Sequence, residues 1–137
     1  MQTFFRTLLS LAALSLTSLH AQTSSMRTNV PFDFHVAGRV LHAGSYRVEI
    51  DKRSYTAVIS SSTESVNVVF AASPAIRNER VAANGALLFQ NYGAAHFLKR
   101  IWLSGEVKGY VLPETKGEHE LARSFQASST FAEIASR

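Results

Sequence analysis

The chain has 137 residues, 14 Lys and Arg against 10 Asp and Glu, five His and no Cys. Hydrophobic residues make up 46% and charged residues 18%, with three Pro and seven Gly. These values exclude full disorder, a collagen-like or low-complexity repeat, a disulfide scaffold, an iron–sulfur cluster and a zinc knuckle, and the length suits one domain.

Residues 1–21 read as a secretory signal peptide. Arg6 supplies the charged start, residues 8–16 a short apolar run, and Leu19-His20-Ala21 a small residue at the cut. Ser10, Ser15, Thr17 and Ser18 dilute the stretch, and a spanning helix wants ~20 apolar residues. No cysteine is present to carry a lipid. The expectation is export to the periplasm or the extracellular space, with no integral membrane segment left after cleavage. Basic residues are scattered rather than striped, which argues against nucleic acid as a partner.

The mature chain alternates with a period of two. Residues 22–29 read as a flexible N-terminal segment, 30–123 as a single β domain and 124–137 as a loose C-terminal tail. Val30, Phe32, Phe34 and Val36 flank polar Asp33 and His35, the mark of a strand with one buried face. Gly38-Arg39 marks a turn, and Val40-Leu41 and His42-Ala43-Gly44-Ser45 follow. Tyr46, Val48 and Ile50 alternate with Arg47, Glu49 and Asp51. After a turn at Lys52-Arg53-Ser54, a strand with Tyr55, Ala57 and Ile59 on one face is expected. Val66, Val68 and Phe70 make the next.

Residues 73–85 have no sustained period and read as a long connection ending in the turn dipeptide Asn84-Gly85. Residues 87–92 resume a strand. A hairpin loop follows at 93–96, then a strand through Phe97, Ile101 and Leu103 and a short one at Tyr110-Val111-Leu112. Pro113-Glu114 suits a helix start, continued by residues 118–123. The fold class is all-β: an antiparallel meander of six to seven short strands forming a small barrel or sandwich, with a short C-terminal helix. Exposed sheet edges tilt the expectation toward the barrel.

The segments Val30-Pro31-Phe32-Asp33-Phe34-His35-Val36-Ala37-Gly38 and Leu41-His42-Ala43-Gly44-Ser45-Tyr46-Arg47-Val48 carry a further signal, with Tyr92-Gly93-Ala94-Ala95-His96-Phe97-Leu98-Lys99-Arg100-Ile101-Trp102 and Leu112-Pro113-Glu114. Together with Glu118-His119-Glu120-Leu121-Ala122 they resemble a group of small exported bacterial β-proteins of unknown function. That resemblance implies export and one β domain, and no activity, cofactor or catalytic residue. In similar chains Leu-Pro-Ala-Gly is common where this one has Leu41-His42-Ala43-Gly44, which makes His42 a poor essential ligand.

Asp33 and His35 share a strand face. If that strand pairs with the Arg47, Glu49 and Asp51 strand, Asp33 meets Arg47. An enzyme or metal site on Asp33, His35 and Glu49 is then one reading, and a solvated face with ordinary ion pairs is the other. His35, His42, His96 and His119 form no ligand motif, and no nucleophile elbow, dinucleotide fingerprint or phosphate loop occurs. No catalytic residue, metal or cofactor is assigned. Tyr92, Phe97, Trp102 and Tyr110 either pack the core or stack on a sugar or partner. Tyr92, Trp102, Asp33 and His35 are the candidate binding residues. The expected role is a non-enzymatic module that binds a protein or polysaccharide of the cell envelope. The alternative is a barrel carrying a small apolar ligand.

Overall fold

A computed structural model describes residues 23–76, 84–125 and 129–136. The expected signal peptide and the middle of the long connection lie outside the described residues. The elements are β1 (Thr23–Val30), β2 (Phe34–Val36), β3 (Arg39–Leu41), β4 (Gly44–Asp51), β5 (Thr56–Ser61), β6 (Asn67–Ala71) and β7 (Ser73–Ile76). There follow β8 (Ala86–Tyr92), β9 (Ala95–Trp102), β10 (Lys108–Val111), α1 (Lys116–Ser124) and β11 (Ser129–Ala135).

The strands form two sheets, so the fold is all-β and sandwich-like. The first has the order β1-β4-β5-β6 and the second β11-β8-β9-β10-β7. The short β2 pairs with β3 and touches β9 in parallel at His35 and Phe97. The hydrogen-bonded ladders do not close into the favoured barrel. Period-two burial builds the first sheet: Met26, Thr28 and Val30, then Tyr46, Val48 and Ile50, then Ala57 and Ile59, then Val68 and Phe70 all point inward. The second sheet meets them with Leu87, Phe89, Leu98, Ile101, Tyr110 and Leu112. Phe34 is fully buried between the two, edge-on to Tyr46 and Phe89 at 5.3 Å each.

Several expectations need correction. The single strand over residues 30–36 is broken at Pro31, where a ladder donor is missing. Its second half does not pair with the Arg47 strand. Ala37 and Gly38 both take positive φ, 49° and 78°, the geometry of a two-residue hairpin turn. The chain therefore reverses directly after Val36, and β2 pairs with β3. The segment that reaches β4 is β1, from Thr23↔Asp51 to Val30↔Gly44. The N-terminal segment expected to be flexible is thus mostly a strand, because buried Thr28 continues the inward row that its polarity concealed.

The C-terminal tail is corrected likewise. β11 pairs with β8 from Ser129↔Tyr92 to Ala135↔Ala86, and Ala132 and Ile134 pack partly against the core. Strand count and order also exceed a simple meander, since β1 and β11 return to partners distant in sequence. The long connection begins with β7, which pairs with β10. The helix opens three residues later than Pro113 suggests, at Lys116: Thr115 is its N-cap, its side chain accepting from the Glu118 amide at 3.3 Å.

Candidate functional site

α1 lies over part of the outer face of the second sheet, and a β-bulge sets their point of contact. Leu88 pairs with Arg100 and Phe89 with Leu98, so Lys99 is the extra residue on β9. A bulge re-aims a side chain. Here the Lys99 Nζ lies 2.8 Å from Glu118 Oε1 on α1 and 3.7 Å from Glu114 Oε1. The Glu118 side chain is 3% exposed and that of Lys99 13%. Their approach angle falls outside hydrogen-bond geometry, so the attraction is coulombic. Glu118 stands three residues after Thr115, the spacing of a capping box, but its carboxylate serves Lys99 and only the Thr115 half of the cap is made.

Beside this pair runs a row of rings. His35 stacks on Phe97 at 4.4 Å and 13°, and Phe97 meets Tyr92 edge-on at 5.7 Å. Burial pushes the Tyr92 hydroxyl above the ordinary tyrosine value, and the charges of Glu118 and Glu114 push it further. A groove of about 350 Å³ lies between His35, Gly38 and Phe97 on one side and Thr115, Lys116 and Leu121 on the other.

The residues singled out from sequence do not converge. Asp33 is exposed and accepts from the Ala43 amide at 2.8 Å and contacts His42 Nδ1 at 3.2 Å. The Ala43 bond first, and His42 second, hold its carboxyl below the usual carboxylate value. It locks a loop rather than meeting Arg47. Arg47 lies in the first sheet, 3.3 Å from Glu49. His35 packs against Phe97, His96 against Phe32 at 4.1 Å, and His119 stands 3.7 Å from Glu114. Among the described residues no three His, Asp or Glu side chains group to hold a metal ion. Tyr92 and Trp102 are 8% and 7% exposed, so neither ring offers an open stacking face. The indole of Trp102 lies over its cross-strand partner Gly109, where an added Cβ would come within 2.2 Å of the ring.

Sequence reading missed Tyr55. It was expected to open a strand with an inward ring, yet it belongs to the turn before β5, with φ at 52° and 45% exposure. A bulky residue at positive φ is a strained position. The Ala72 amide fixes it by donating to the Tyr55 carbonyl at 2.9 Å. Tyr55 borders a second groove of about 310 Å³, with Pro74, Val107 and Tyr110 as apolar wall and Lys52, Glu106 and Lys108 as polar rim. Lys52 Nζ stands 2.7 Å from Glu106 Oε1. Burial, then the charge of Glu106, pushes the Tyr110 hydroxyl up. The available signal was position alone: Tyr55 directly follows the turn residues Lys52-Arg53-Ser54, while its residue type favours a strand.

The space between the sheets is filled by side chains such as Phe34, Phe89, Ile50 and Ile59, each under 2% exposed. Both grooves above are open to the surface. Among the described residues no helix is long and apolar enough to cross a membrane. No protein-family model matches the chain, and no match was found among the curated proteins or the solved structures.

Proposed function

We propose that the chain is an exported, non-enzymatic β module that binds a polysaccharide of the cell envelope in the groove beside Tyr55. One observation carries this reading: a half-exposed tyrosine is held in strained backbone at the lip of a groove with a charged rim. Strain that the core does not require points toward function. An aromatic face stacks on the C–H face of a sugar ring, and Lys52, Glu106 and Lys108 supply partners for its hydroxyls. Export rests on residues 1–21. The filled interior speaks against an apolar-ligand carrier, and the separation of Asp33, His35 and Glu49 against a site built on those three.

The test is cosedimentation of the purified protein with isolated peptidoglycan sacculi, with cellulose as the unrelated polymer. Sacculi should retain the protein and cellulose should not. Tyr55→Gly suits positive φ and should fold at least as well, while weakening retention by about tenfold, the equivalent of about 1.4 kcal/mol. Equal retention on both polymers, or undiminished retention of a folded Tyr55→Gly, would defeat the proposal.

A further inference from the structure

The outward face of the first sheet carries a feature independent of the Tyr55 groove. The register sets Arg27 of β1 directly opposite Arg47 of β4. Both face outward, because their neighbours Met26, Thr28, Tyr46 and Val48 are the buried members of the two rows. Like charges placed opposite each other on a sheet face repel. Among the described residues a carboxylate relieves only Arg47, whose Nη1 lies 3.3 Å from Glu49 Oε1. Among the described residues no carboxylate stands within ion-pair reach of Arg27.

The surroundings of Arg27 are short neutral side chains tied to one another, with the Ser62 hydroxyl and the Asn29 side-chain NH2 facing the hollow they border. Ser45 Oγ donates to Asn29 Oδ1 at 3.2 Å, and the Ser62 amide donates to the Ser45 carbonyl at 2.9 Å. Arg27, Asn29, Ser45 and Ser62 border a hollow of about 420 Å³. Thr28 and Tyr46 complete the lining, and burial, then the charges of Glu64 and Asp33, push the Tyr46 hydroxyl above the ordinary tyrosine value.

A guanidinium with hydroxyl and amide donors is the set that recognises a tetrahedral oxyanion. We infer that this outward face binds a phosphate or sulfate group, with Arg27 as its primary charge, Arg47 as support from beyond the rim, and the Ser62 hydroxyl and the Asn29 side-chain NH2 as hydrogen-bond donors. The group arrives either as the free ion or as an ester on a polymer.

Amide NMR titration with inorganic sulfate, against chloride at equal ionic strength, tests the site. Sulfate should saturate shifts at Asn29, Ser45 and Ser62 in the millimolar range. Arg27→Gln should weaken that affinity at least tenfold and Arg47→Gln severalfold. Both variants should melt at or above the parent temperature in low salt, since the repulsion is gone. Equal shifts with chloride, or affinity unchanged in Arg27→Gln, overturn the inference. Dextran sulfate, with uncharged dextran as control, separates the sources. Arg27-dependent binding at least tenfold tighter per sulfate than the inorganic ion assigns the polymer ester; equal affinity per group assigns the free ion.

Discussion

The two sheets share one inner face and differ in what lies outside. Among the described residues the first sheet is open: Arg27 and the 63%-exposed Val69 stand in solvent, with Arg47 and Glu49 half-exposed beside them. The second is partly roofed: Tyr92, Phe97 and Glu118 are all under 9% exposed on its far side, and Trp102 is buried there against Gly109. A bare sheet needs only period-two patterning to hold its register. A roofed sheet needs apolar residues on both faces and a device that seats the roof. Here the device is a bulged lysine against a buried glutamate, and the difference is open to three perturbations.

The largest expected effect falls on the shared face. Phe34→Ala empties a fully buried site between Tyr46 and Phe89 and should cost about 3–5 kcal/mol. Urea melts followed by probes in both sheets should shift together. A loss confined to one sheet would break the view that they share a core.

Next comes the roof. Glu118→Gln leaves the Lys99 charge without its near partner and should cost about 3 kcal/mol, the low end for a broken buried pair, because Lys99 keeps some contact with water. Hydrogen exchange should rise in α1 while β4 and β5 keep their protection. Replacing both groups, as Lys99→Met with Glu118→Leu, should recover most of the loss. Full loss in the double variant would show that the pair is not the device.

The smallest effect is local to the second sheet. Gly109→Ala drives a methyl into the Trp102 ring and should cost about 1–3 kcal/mol. The fluorescence of Trp102, the chain's single tryptophan, reports it directly. With Trp102→Ala present, the same change should become nearly neutral. Equal costs in both backgrounds would place the origin elsewhere.

The same contrast explains what was legible in the sequence. In the first sheet, Tyr46, Val48 and Ile50 against Arg47, Glu49 and Asp51 announced β4, because one side meets water and the other meets the core. In the second sheet, Phe97, Leu98, Ile101, Trp102 and Leu103 are all buried, and the bulge at Lys99 breaks the period. The strand was readable there, but not its facing. β1 and β11 were hidden because their partners are remote in sequence and their inward residues include Thr28 and Ala132. The candidate site was less legible still. Tyr92 and Trp102 looked like surface aromatics only while the roof was unknown. Tyr55 looked like a core residue only while its positive φ was unknown. The expected meeting of Asp33 with Arg47 assumed a longer strand, and two residues at positive φ ended it at Val36.

One residue joins the sheets along one margin: Ala72, 1% exposed, separates β6 in the first from β7 in the second. Along the other margin, Thr28 Oγ1 of β1 donates to the Ala135 carbonyl of β11 at 3.2 Å. The molecule is therefore bound like a book, with a covalent spine at Ala72 and, opposite, a clasp of weak contacts beside the chain's own crossings from β1 into β2 and from β3 into β4. Under stress it should open from the clasp, β11 parting from β1 while it stays laddered to β8 and the spine keeps both covers in alignment, so that reclosing needs no search for the right page.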